Sequence, residues 1–120
     1  MLAKSFRDLK VYQRAYAISL VLHRKSMEFP KTEQFSGIAD QLRRASKSVC
    51  ANLAEGHGKN TSTADFKRFV SIALGSSEEV KMWLDYCRDL GYMDIALYAK
   101  CQQEYEEISK MLGGLIRSKS

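Results

Sequence analysis

Ile38-Ala39-Asp40-Gln41-Leu42-Arg43-Arg44-Ala45-Ser46-Lys47-Ser48-Val49-Cys50-Ala51-Asn52-Leu53-Ala54-Glu55-Gly56 carries the clearest pattern in the chain. Ile38, Leu42, Ala45, Val49 and Leu53 recur at the spacing that lines up one face of an α-helix. Gly56 follows as the expected C-terminal stop. Thr32 upstream is the expected N-cap, a hydroxyl that can accept from a free backbone N–H. The pattern predicts a helix over 33–55 with one apolar stripe.

Three more segments show the same period. Val11, Ala15, Ile18 and Leu22 predict a helix over 8–27, closed by Phe29-Pro30 because the residue before proline avoids helical geometry. Phe66, Phe69, Ala73, Ser77, Val80, Leu84 and Cys87 predict a helix over 63–90, capped by Ser62 or Thr63 and stopped by Gly91. Tyr98, Cys101, Tyr105, Ile108, Leu112 and Ile116 predict a helix over 94–116, with Asp94 as a cap and a last turn weakened by Gly113-Gly114. Short links between helices of matched length make sequential neighbours antiparallel. The expected fold class is all-α, an up-down-up-down four-helix bundle in one domain over 1–120.

Composition agrees. The 120 residues are 45 % hydrophobic and 28 % charged, with a single proline, Pro30. No apolar run approaches the roughly 20 residues that cross a bilayer, and no secretory signal is visible, so the expected location is cytoplasmic. Cys50, Cys87 and Cys101 are odd in number and unpaired in spacing, which argues against a disulfide framework or a CxxC zinc site. The formal net charge of +5 permits an acidic partner.

Apolar surface remains after one core is filled. Tyr12, Tyr16 and Leu20 form a second face on the first helix. Ile72 and Trp83 lie beside the main face of the third, with Val70 and Met82 further round. A helix that is apolar nearly all round must be buried against something, either a thick core or another subunit. Tyr12, Tyr16, Leu20, Ile72, Met82 and Trp83 are the expected subunit-interface residues, since aromatics and methionine are enriched at such surfaces. Beside the second helix's core runs a polar stripe, Gln41, Ser48, Asn52 and Glu55, and Glu79 is its expected partner across the bundle.

Six cationic side chains, Arg43, Arg44, Lys47, Lys59, Lys67 and Arg68, are expected to gather at one end. They are either a solvated surface or a phosphate-binding patch that reads no sequence. Phe66 and Phe69 belong to the core, so no base stacking is expected there. No metal or other cofactor is expected: a di-iron bundle needs Glu-x-x-His pairs, and neither His23 nor His57 has a glutamate three residues before it. Glu55-Gly56-His57-Gly58-Lys59 lacks the spacing of a phosphate loop, and nothing marks a catalytic triad.

Four stretches in order carry a likeness: Phe6-Arg7-Asp8-Leu9-Lys10-Val11-Tyr12-Gln13, then Gln41 to Ala45 with Ser48-Val49, then Asn52 to Gly56, then Phe66 through Ile72-Ala73-Leu74-Gly75-Ser76 to Glu79. Together they resemble the bacterial four-helix bundle family named for proteins encoded in intervening sequences of 23S ribosomal RNA genes. The resemblance spans nearly the whole chain. It implies a homo-oligomer, a ring of five, with no known enzymatic activity, and makes Glu55, Gly56, Ser76 and Glu79 motif residues. The family is remotely similar to the accessory protein of diversity-generating retroelements, a basic pentameric bundle that binds nucleic acid and a reverse transcriptase. The expected function is therefore a non-enzymatic homo-oligomer that binds RNA or DNA through the basic end, with a protein-interaction scaffold as the alternative. Glu55 and Glu79 are expected to be partly buried and structural.

Overall fold

The expected apolar stripes become the core of four packed helices: α1 (Lys10–Ser26), α2 (Ile38–Lys59), α3 (Thr63–Asp89) and α4 (Ile95–Ser118). The structure, a computed structural model, describes residues 4–59 and 62–118. Val11, Ala15, Ile18 and Leu22 meet Leu42, Val49, Leu53, Val80, Leu84, Tyr105, Ile108 and Leu112 in one buried cluster. Val70, expected further round α3 than its main apolar face, is fully buried in that cluster.

The helix ends follow local chemistry. Ser62 Oγ accepts from Asp65 N–H at 3.0 Å, and Asp94 Oδ1 accepts from Leu97 N–H at 2.8 Å. At the end of α3, Gly91 takes φ +75°. Gly91 N–H donates to Arg88 O at 3.1 Å and Tyr92 N–H to Cys87 O at 2.8 Å, closing a Schellman motif. Helix α4 continues through Gly113-Gly114 to Ser118 without a break, longer than its glycines suggest.

Two boundaries of α2 differ from the sequence reading. The helix starts at Ile38, not near Glu33, and Thr32 does not cap it. Residues 31–33 form a 3-10 turn instead. The cause is tertiary: the Glu33 carboxylate accepts from Ile38 N–H at 2.9 Å and from Tyr92 O–H at 2.7 Å. The α1–α2 link is thereby tied to the α3–α4 turn, where the Phe29 and Tyr92 rings lie 5.1 Å apart.

Gly56 does not stop α2, which runs on to Lys59. The glycine is buried. A Cβ built there would stand 2.9 Å from Phe69 Cβ. It permits close approach of α2 to α3, and about two turns further along the seam Ser48 Oγ and Ser76 Oγ bond at 2.7 Å. Valine at Gly56 gains about 0.4 kcal/mol of helix propensity but overpacks the seam at about 1–3 kcal/mol. Gly56→Val should therefore lower the urea midpoint. Gly75→Ala should raise it, by roughly 0.5–1 kcal/mol of stability, because nothing lies within 4 Å of a Cβ there.

Candidate functional site

The six cations expected at one end are not together. Helix α2 rises about 1.5 Å per residue, so Arg43 stands roughly 24 Å along the axis from Lys59. Arg43, Arg44 and Lys47 lie in the first half of α2, whereas Lys67 and Arg68 open α3 beside the α2–α3 turn. The side chain of Lys59 lies outside the described residues.

Arg43 is a structural residue. Its guanidinium donates to Ser26 Oγ at 2.8 Å, Gln34 Oε1 at 3.1 Å and Gln34 O at 3.0 Å, holding the α1–α2 link. Arg44 pairs with Asp40 one turn back at 3.1 Å. Arg68 lies over the Phe69 ring, 4.4 Å from its centroid, and 4.0 Å from an Asp65 oxygen. Lys67 is half-exposed near the start of α3.

Lys47 has the most telling surroundings. Its ammonium lies 2.8 Å from His23 Nδ1. An ammonium can only donate, so Nδ1 accepts and the imidazole is neutral. The cation on Lys47, then burial, then Arg43 and Arg24, push the His23 pKa below its ordinary value. Burial and Arg43 likewise lower Lys47. This is a cluster of like charges that no carboxylate among the described residues bridges.

Lys47 also sits at one end of an apolar groove of about 300 Å³ between α1 and α2. Phe6, Tyr12, Tyr16 and Leu20 form one wall, and Cys50, Ala51 and Ala54 the other. Tyr12 and Tyr16 stack with centroids 6.0 Å apart, and Tyr16 is 50 % exposed. A second groove, between α1 and α4, is charge-balanced, since Arg14 bridges to Glu104 at 2.7 Å across it.

On the other side of α2 rises a ridge. The bond from Ser76 to Ser48 fixes which flank of α3 faces α2. Ile72 one turn before Ser76, and Glu79, Trp83, Tyr86 and Leu90 after it, share that flank at helical spacing. Ile72, Tyr86 and Leu90 are exposed, as is Met82 further round. Trp83 packs partly on the core, and its Nε1–H donates to Glu79 Oε2 at 3.0 Å. Five of the six apolar residues expected at an interface thus border one helix, α2, from its two sides, and Met82 lies further round α3.

Glu55 and Glu79, expected to be partly buried, are both exposed. Glu79 takes its bond from its own helix rather than from a neighbouring one. Sequence reading also missed the exposed apolar end of the bundle, where Met27 and Phe35 of the α1–α2 link and Leu90 and Ile95 of the α3–α4 turn are exposed; Phe35 is 89 % exposed. The signal was available in Phe35-Ser36-Gly37, an aromatic inside turn residues.

Burial pushes Cys50 and Cys101 up to about 11 and Cys87 up to about 12, so none is a ready thiolate. Among the described residues no group of His, Cys, Asp and Glu could hold a metal ion, and no helix is long and apolar enough to cross a membrane.

Residues 7–114 match the family model of the 23S rRNA-intervening sequence protein. The chain belongs to that family. A solved structure from Bacteroides thetaiotaomicron VPI-5482, a protein of unknown function from the S23 ribosomal protein family, is similar to it. The TM-score is 0.80 at 22 % identity, over 89 % of this chain and 95 % of that one. At such identity the likeness speaks for the fold alone. No curated protein matches the chain.

Two measurements check the roles assigned here. Arg43→Ala should cost about 1–3 kcal/mol in urea unfolding, since it strips donors from Gln34 and Ser26. His23 binds its proton less readily folded than unfolded. Stability should therefore fall as pH drops from about 7 to about 5.5, through the ordinary imidazole value. Glu33 and Glu104 are lowered by Ile38 N–H and Arg14 respectively, and their contribution is lost only below the ordinary carboxylate range. In His23→Gln the decline above pH 5.5 should be absent.

Proposed function

We propose that this protein works without catalysis, as a cytoplasmic self-associating bundle that presents nucleic acid with a repeated basic surface. The observation that carries self-association is the pair of partly exposed aromatic and aliphatic faces flanking α2, Tyr12, Tyr16 and Leu20 on one side and Ile72 and Trp83 on the other, with Met82 exposed further round α3. Faces of this composition are typical of protein interfaces. Five copies is the number that the family resemblance suggests. Three reduced cysteines fit a cytoplasmic setting.

Phosphate contacts would come from Lys59, Lys67 and Arg68 at the α2–α3 turn, with Arg44 further along α2. A formal charge of +5 per chain would be multiplied by assembly, and each added contact would act at high effective concentration. The split of the six cations, and the internal engagement of Arg43, favour the second reading, a protein-interaction scaffold that binds no nucleic acid.

Light scattering at micromolar concentration should report a mass several times that of one chain; a monomer would end the self-association reading. Labelled RNA and duplex DNA should bind at about 50 mM salt and be released as salt rises. Lys67→Glu with Arg68→Glu should lower the slope of log affinity against log salt by about 2. An oligomer that binds neither probe at low salt would leave the scaffold reading in place of this one.

A further inference from the structure

We infer that the α3 ridge of one copy docks into the α1–α2 groove of the next, with Glu79 of the ridge set against Lys47 of the groove. This rests on the self-association reading and specifies how it is built. Three observations point to a second copy of this chain as the occupant.

The first is shape. A ridge and a groove lie on opposite sides of the same helix, α2. Ridge and groove are different surfaces, so a ridge seated in the next copy's groove is a head-to-tail contact, the kind that builds rings or filaments. The second is charge. The groove ends in Lys47 and His23, where cations press on one another with no carboxylate among the described residues to answer them. The ridge carries a carboxylate in its middle, Glu79, exposed and held by Trp83 Nε1–H on its own helix. That bond fixes the glutamate beside the tryptophan, the residue type that most often anchors interfaces.

The third is length. From Glu79 to Leu90 along α3, and from His23 back to Tyr12 along α1, the helices span the same distance, about 16 Å. With Glu79 placed on Lys47, Trp83, Tyr86 and Leu90 run along the wall formed by Tyr16 and Tyr12. Ala51 and Ala54 of α2 leave the opposite wall low.

The test uses exposed residues, so that the fold survives, with circular dichroism as the check. Glu79→Lys and Lys47→Glu should each weaken assembly at least about tenfold, since each sets like charges face to face. The double swap should restore it. Tyr86→Asp, at an exposed position of the docked stretch, spoils only the ridge and Tyr16→Asp only the groove. Each should be monomeric alone in light scattering. Mixed in equal amounts they should form a dimer of one copy each, joined by the one intact ridge and the one intact groove, and grow no further.

A parent protein that is itself monomeric overturns this inference together with the self-association reading. An oligomeric parent whose four single variants assemble like it overturns the docking alone. Variants that stay monomeric when mixed do the same, because head-to-tail contact requires the mixed dimer. Charge reversals that weaken assembly without rescue by the double swap overturn the Glu79–Lys47 pairing.

Discussion

The close seam between α2 and α3 governs the rest of the molecule. Gly56 faces Phe69 with no room for a methyl group, and Ser48 meets Ser76 hydroxyl to hydroxyl. Small residues at these points bring the two helices together, and van der Waals attraction then acts over a long contact. Once α3 is held against α2 on one side, α4 takes its other side, with Ser77 Oγ on Ser109 Oγ at 2.8 Å and Lys81 bridging to Glu106. The flank of α3 beyond Ser76 has no helix left to cover it. The exposed ridge is thus a consequence of the tight seam, not of a surplus of apolar residues alone.

The parts of the structure legible in the sequence are those set by period. Every α1 stripe residue from Val11 to Leu22, and the Leu42, Ala45, Val49, Leu53 stripe of α2, is buried. Ser62, Gly91 and Asp94 mark helix ends because capping depends on chemistry within a few residues. Where the reading departs from the structure, a distant residue decides. Glu33 leaves the helix because Tyr92 and Ile38 hold its carboxylate. Gly56 stays in the helix because Phe69 across the seam needs its missing side chain. Neither partner is visible in a local window. The cations of α2 and α3 part for another reason: α2 is about 33 Å long, so Arg43, Arg44 and Lys47 in its first half stand far from the turn that opens α3.

Net charge is a poor guide to where this protein is positive. Lys25–Glu28, Arg44–Asp40, Lys81–Glu78, Arg88–Asp89 and Lys110–Glu107 are all short-range pairs. Exposed pairs of this kind add little stability, but they locally cancel the charge of both members. The His23–Lys47 site differs because its neighbours Arg24 and Arg43 are cations too. There the protein tolerates repulsion, and His23 meets it by giving up its proton.

The four residues singled out by the family resemblance divide between two tasks. Gly56 and Ser76 lie in the α2–α3 seam, where they set the spacing of the helices. Glu55 and Glu79 face outward. An exposed glutamate contributes little to a core it does not touch, and the bond of Glu79 to Trp83 orders a side chain on the surface rather than joining two helices. Ordering a carboxylate and an indole in water costs side-chain entropy. That cost is offset when the ordered pair meets a partner already shaped to receive it, because less freedom then remains to be lost on binding. The seam thus serves the fold, while in the docking proposed above the Glu79–Trp83 pair serves the contact with a second copy.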